Sequence, residues 1–325
     1  MNIIYSTSDS FLIPATVSIK SLIKYNDVNS ITILHSDLSQ SSIEKLRSIT
    51  NGTKLRFVEC EKLIFEKLSK YKLRMVRGNW NTYLRLFIPI LVPDYDRVLY
   101  IDSDTLIRGD ISDLYDTNFN NNFFSAAIDY VAKSKYANIE DEMILKNGNY
   151  YNCGILLMNN KKLIEIDFTN QVLNYLDKSD LDFRVADQSI INYFYSEKFV
   201  TADIGFNFYS GLHYKNSYAT KKVFGIDYSS YLNDQNKVKI VHFIGHWFER
   251  PWFKKHFSIY STEYKNLVLE CDIKEEELLS IPKFYLHSIY DYSMYFLRKN
   301  GFLTLEFYTR FMIMQTLKKF INIYR

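Results

Sequence analysis

Through the first hundred residues, short β-type runs alternate with helical stretches, and that restricts the chain to folds built on a parallel sheet. Residues 2–6, 31–35 and 55–58 read as buried strands, while 14–25 and 42–48 carry apolar side chains at helical spacing. Parallel neighbours cannot be joined by a tight hairpin, so each pair needs a crossover, normally a helix. A helical segment at 80–91 then leads into the apolar strand 97–101, and later strands are expected at 123–128, 153–158 and 239–243, with helices at 163–176 and 188–195. The predicted class is α/β, with a mostly parallel central sheet flanked by helices.

The strand Arg97-Val98-Leu99-Tyr100-Ile101 stops abruptly at Asp102-Ser103-Asp104. In open α/β sheets ligands bind beyond the carboxyl ends of strands. Residues i and i+2 of an extended segment share a direction, so Asp102 and Asp104 project together. Two close carboxylates repel one another unless a cation lies between them, which points to a divalent metal. An Asx-rich turn is the plainer use of the same residues. With only ten glycines and neither GxGxxG nor GxxxxGK[ST], a nucleotide diphosphate would need a metal and cationic side chains instead of a glycine-rich cradle. Phosphatases of the haloacid dehalogenase type also place Asp-x-Asp after an apolar strand, with Thr or Val two positions past the second Asp. Here that position is Leu106, and Thr105 comes one residue too early.

Taken in order, the motifs closely resemble glycosyltransferase family 8. They are Asn79-Trp80-Asn81-Thr82-Tyr83-Leu84-Arg85-Leu86, the strand ending in Asp102-Ser103-Asp104, Ala127-Ile128-Asp129, and Tyr151-Asn152-Cys153-Gly154. Asp187-Gln188-Ser189 and His242-Phe243-Ile244-Gly245 with Arg250-Pro251-Trp252 complete the set. The resemblance covers roughly the first 255 residues. It implies the GT-A nucleotide-diphospho-sugar transferase fold for residues 1–255, with 256–325 as a C-terminal helical tail. An acidic stretch from Glu270 to Glu277, ahead of Pro282, marks the composition shift.

The resemblance further implies a retaining hexosyltransferase that uses a UDP-sugar, glucose or galactose being favoured, and Mn²⁺, with Mg²⁺ as the second choice. Asp102 and Asp104 would be metal ligands with His242 as the third; His246 is the substitute. A mixed carboxylate and imidazole set suits Mn²⁺ better than Ca²⁺. Ser103, Thr7, Ser8, Asp9, Arg85, Asn152, Gly245 and Arg250 would contact the donor, and Asp129, Asp187 and Gln188 would serve catalysis and the sugar hydroxyls. Where the family carries Asp, position 8 is Ser. Where it carries Lys before Pro-Trp, Arg250 stands after a loop two residues longer. Arg can grip phosphate oxygens bidentately, so the role survives the exchange. A binding protein for nucleotide sugars without catalysis is the rival reading. Residue by residue there are plain alternatives: a helix N-cap for Asp187, a turn residue for Asn152, a surface ion pair for Arg85.

The net charge of +3 does not call for a nucleic-acid partner, but it is unevenly spread. From Ser280 to Arg325 seven Lys/Arg stand against two acids, interleaved with aromatics such as Tyr285, Tyr292, Phe302 and Phe311. That pattern predicts amphipathic helices lying on an anionic bilayer, the alternative being packing against the catalytic domain or a second subunit. With three widely spaced cysteines and no CxxC, no leader-like start and no apolar run of about 18 residues, the chain reads as cytoplasmic, with peripheral attachment at the inner face of the plasma membrane. The expected acceptor is a glycan, glycolipid or glycoprotein. Sedimentation with anionic liposomes is expected to fall when the chain is truncated near Pro282; equal binding with and without the tail would reject a membrane role.

Overall fold

A computed structural model describes residues 1–50, 52–69, 71, 73, 80–130, 149–178, 186–211, 228–280, 293 and 296–297. Of the basic and aromatic tail from Phe284 onward, Ser293, Phe296 and Leu297 are described and the rest lies outside the described residues. Among the described residues, seven strands form one sheet in the order β3-β2-β1-β4-β7-β6-β8. They are β1 (Asn2–Thr7), β2 (Ser30–His35), β3 (Lys54–Glu59), β4 (Val98–Asp102), β6 (Phe124–Ala126), β7 (Ile155–Met158) and β8 (Phe199–Thr201). All neighbours run parallel except β7, which is antiparallel to both β4 and β6. A second, three-stranded sheet joins β5 (Thr105–Ile107), β10 (Ile240–His242) and β9 (Phe208–Tyr209).

The side-chain period of two explains how one sheet supports two cores. Ile3, Tyr5, Leu99, Ile101, Ile155 and Leu157 enter one apolar cluster. Their alternates Ile4, Val98, Tyr100, Leu156 and Met158 enter the other. Both faces are therefore covered, as a mainly parallel sheet requires. The helix Leu12–Tyr25 and the helix Gln40–Ile49, capped by Ser39 accepting from the Ser42 N–H, close the first face. The helices Phe168–Lys178 and Ala186–Tyr195 close the second with Phe168, Val172, Ile190 and Ile191. Beyond residue 255, the helix Ser261–Glu270 adds Tyr264, Leu267 and Val268 to the first cluster, and Glu263 pairs with Arg108 at 2.8 Å.

The expected helix over 80–91 takes a different form: a 3-10 stretch, Asn81–Phe87, followed by a short α-helix, Ile88–Leu91. Three residues per turn bring Thr82 and Arg85 into line, and Arg85 Nη2 lies 3.2 Å from Thr82 Oγ1. That alignment aims both polar side chains at one buried carboxylate, Asp187.

The strand order reverses between β1 and β4. The chain builds outward from β1 through β2 to β3, then returns to the other side of β1 to place β4. This is the topological switch point at which α/β sheets open a crevice for ligands. The register sets Ser6 opposite Asp102, so the end of β1 and the end of β4 share one rim.

Candidate active site

Asp102 closes β4, and Ser103 and Asp104 form the two-residue bend that leads into β5. β5 pairs antiparallel with β10, which sets Thr105 opposite His242. A carboxylate oxygen of each Asp and a ring nitrogen of His242 all lie within 4.8 Å of one another. His242 Nε2 is 3.2 Å from Asp104 Oδ1 and 3.7 Å from Asp102 Oδ2. His246 is turned elsewhere: its ring stacks on Phe248 at 5.2 Å and its N–H donates to Glu249.

The cradle around this cluster is tight. A side chain at residue 154 would place its Cβ 2.3 Å from His242 Cε1 and 2.7 Å from Asp102 Oδ2. Only glycine leaves room there for the imidazole and the carboxylate. The Gly154 carbonyl also accepts the Asp102 N–H at 2.7 Å, which ties the end of β4 to the start of β7. Two oxygen donors and one imidazole nitrogen, convergent and cleared of side-chain bulk, fit a divalent cation.

Asp102 is held from behind. Its Oδ1 accepts from Tyr100 Oη (2.8 Å) and Arg85 Nη2 (3.0 Å), while Oδ2 faces His242. Arg85 is only 4% exposed. It also donates to the Cys153 carbonyl, its Nε lies 2.5 Å from Asp187 Oδ2, and its guanidinium sits 4.4 Å over the Tyr100 ring. Burial disfavours its charge, but the Asp102 and Asp187 carboxylates outweigh that effect and keep it protonated. Asp187 is 2% exposed and also accepts from Thr82 Oγ1 at 2.6 Å. Burial pushes its carboxyl up to about 6, and Arg85 opposes that rise. Arg85 is thus a buried clamp between two acids, not a surface ion pair.

Asp129, Asn152 and Gln188 form a second group alongside. Asp129 Oδ2 accepts from Asn152 Nδ2 and from Gln188 Nε2, each at 2.9 Å. Gln188 Oε1 accepts the Cys153 N–H at 3.0 Å, so its amide is engaged at both ends. Asn152 Oδ1 accepts the Gly154 N–H at 2.9 Å, and Tyr209 Oη lies 3.2 Å from Asn152 Nδ2.

At the rim, Thr7 and Ser8 are buried at the end of β1, and Asn81 Nδ2 donates to the Thr7 carbonyl at 3.1 Å. Asp9 accepts the Ser39 N–H at 2.9 Å. Ser103 Oγ donates to the Ser6 carbonyl at 3.1 Å and stitches the two strand ends together. Gly245 has φ +137°, where an L side chain is strained, and a Cβ there would meet Glu249 Oε2. Arg250 Nη2 donates to the Gly245 carbonyl at 2.9 Å, which places both on one turn beyond β10. The residue with no sequence signal is Asn207. It lies between a 3-10 turn and β9, with Oδ1 2.9 Å from His242 Nδ1.

The mostly parallel sheet, with an Asp-Asp-His group that could hold a metal at its switch point, has the GT-A type fold of the glycosyltransferases it superposes on. The family model described as "Glycosyl transferase family 8" matches residues 2–256, and the chain belongs to that family. It is similar to glycosyltransferase GlyE of Streptococcus pneumoniae, 24% identical over 212 residues that make up 65% of this chain and 48% of that protein. It is also similar to the lipopolysaccharide 1,3-galactosyltransferase of Salmonella typhimurium, 26% identical over 230 residues, 66% of this chain and 65% of that one. The chain therefore spans about half the length of GlyE. Among solved structures, the galactosyltransferase LgtC in complex with donor and acceptor sugar analogs superposes with a TM-score of 0.68 at 22% identity, over 87% of this chain and 98% of that one.

Gly154→Ala is expected to weaken Mn²⁺ binding, measured by isothermal titration calorimetry, by an order of magnitude or more, because the added methyl must displace His242 or Asp102 (about 1.4 kcal/mol per factor of ten). Unchanged affinity in a folded variant would show that the cluster is not the cation site.

Proposed function

We propose that the protein transfers a hexose, glucose or galactose, from a UDP-sugar to a glycan, glycolipid or glycoprotein acceptor with retention of configuration, in a Mn²⁺-dependent reaction. The observation that carries this reading is the convergence of Asp102, Asp104 and His242 at the sheet's switch point in a family 8 chain. The names of its relatives, among them a lipopolysaccharide 1,2-glucosyltransferase of Escherichia coli, support a cell-surface glycan acceptor, and the same reading puts the work at the cytoplasmic face of the membrane.

A cation bound by the trio would neutralise charge growing on the departing diphosphate, an effect worth several kcal/mol. The rest falls to side chains. Thr7, Ser8 and Asp9 would meet the nucleoside at the β1 rim, which Ser103 joins through its bond to the Ser6 carbonyl. Arg250 would take phosphate oxygens from the turn beyond β10. Asp129, with Asn152 and Gln188 holding its carboxylate, is an acceptor for donor-sugar hydroxyls. A site that pairs each buried polar group rejects a sugar that leaves one unpaired.

Double displacement needs a nucleophile beneath the anomeric carbon. Gln188 Oε1 is committed to the Cys153 N–H, and Asp187 is committed to Arg85 and Thr82. Both arrangements favour a front-side route. The bond from the anomeric carbon to the diphosphate oxygen breaks, the bond to the acceptor oxygen forms on the same face, and the acceptor's proton passes to the departing phosphate oxygen.

Asp104→Asn is expected to lower UDP-sugar turnover about 10²-fold or more, and EDTA to abolish it in the wild type with recovery on added Mn²⁺. Full turnover by Asp104→Asn without manganese would overturn the reading. Absence of turnover in every arm would favour a binding-only protein, and a covalent glycosyl adduct on Asp129 or Asp187 in mass spectra would refute the front-side route.

A further inference from the structure

We propose that Asn207 is a positioning residue that sets the His242 tautomer and couples the cation site to the sugar-binding amides; the inference rests on the reading of Asp102, Asp104 and His242 as that cation site. The argument starts from two backbone N–H groups, which can only donate. Gly154 N donates to Asn152 Oδ1 and Cys153 N donates to Gln188 Oε1, so both side-chain amides have a fixed sense. Asn152 Nδ2 is then the end that meets the Asp129 carboxylate, as the 2.9 Å contact has it.

Asn207 approaches Asn152 Oδ1 at 2.8 Å. That oxygen only accepts, so the approaching group must be the Asn207 NH₂. Its Oδ1 is left to face His242 Nδ1 at 2.9 Å, and a carbonyl oxygen there demands a proton on Nδ1. Nε2 faces the Asp104 and Asp102 carboxylates at 3.2 and 3.7 Å, and with Nδ1–H tied to Asn207 it is the nitrogen left to exchange its proton for a cation. A metal-ligating imidazole needs a lone pair there, and its other nitrogen usually donates to just such a partner. Asn207, Asn152 and His242 are all buried, at 1%, 5% and 2% exposure, so the sense of the chain is fixed by protein groups.

The polarity therefore runs unbroken from the β7 backbone through Asn152 and Asn207 to His242, and through Asn152 to Asp129. A shift of Asn152 on sugar binding is felt at the imidazole. Asn207→Leu, similar in size, removes both hydrogen bonds. Asn207→Asp keeps an acceptor for Nδ1 but turns a second acceptor toward Asn152 Oδ1.

The test is long-range ¹H–¹⁵N correlation NMR of the metal-free full chain, with His242 assigned by loss of its signals in His242→Gln, together with Mn²⁺ titration calorimetry. Expected are an Nδ1-protonated ring in the wild type, Mn²⁺ affinity about 10–100-fold weaker in Asn207→Leu, and near-wild-type Mn²⁺ affinity in Asn207→Asp with donor KM raised about tenfold by the mispaired amide. A wild-type ring with no proton on Nδ1, or wild-type Mn²⁺ affinity in Asn207→Leu, overturns the inference. The NMR result decides it even if Asn207→Leu does not fold. Failure of the wild type to bind Mn²⁺ would instead overturn the metal reading, and the ring tautomer would still decide the role of Asn207.

Discussion

Asp102 ties one oxygen to a permanent cation and leaves the other facing an imidazole. Oδ1 is tied to Arg85 and Tyr100, while Oδ2 faces His242 and the Gly154 cradle. A carboxylate left free at a strand end would turn toward solvent or be repelled by its neighbour Asp104. Arg85 prevents that, and Asp187 prevents Arg85 from drifting. The buried Asp102–Arg85–Asp187 array is expensive to desolvate and earns no stability by itself. Its effect is to hold a ligand oxygen in one direction before any cation arrives.

Topology does the remaining placement. Because β4 returns beside β1, the rim offered by Thr7 and Ser8 lies one hydrogen bond from Ser103. Because β7 runs antiparallel to β4, its leading turn brings Gly154 against Asp102, Cys153 against Arg85 and Asn152 against Asp129. The small second sheet carries His242 to Asp104 through the β5–β10 pair and Asn207 to His242 through β9. Groups far apart in sequence meet because two sheets share the bend at Asp102-Ser103-Asp104.

Much of this was legible in the residues. The alternating strands and helices gave the parallel sheet, and an apolar strand halted by two acids pointed to the carboxylates that converge on His242. The family motifs pointed to His242 and to Asp129 and Asn152, which the structure brings together in pairs. What the residues withheld has physical causes. Strands such as β5, β8 and β9 are two or three residues long, too short for a period to show. The 3-10 turn at Asn81–Phe87 is chosen by the need to aim Thr82 and Arg85 at Asp187, a tertiary demand invisible locally. Asn207 follows an unremarkable Gly-Phe pair, and its role exists only once β9 lies beside β10.

Family 8 membership supports the proposed reaction class, and the residues around Asp102 would supply the means. The most direct measurement is anomalous diffraction from crystals of the full chain grown with Mn²⁺ and UDP, collected near the manganese edge. A single strong peak enclosed by Asp102, Asp104 and His242 is the predicted result. Manganese bound at any other group, with that trio left empty, would contradict it.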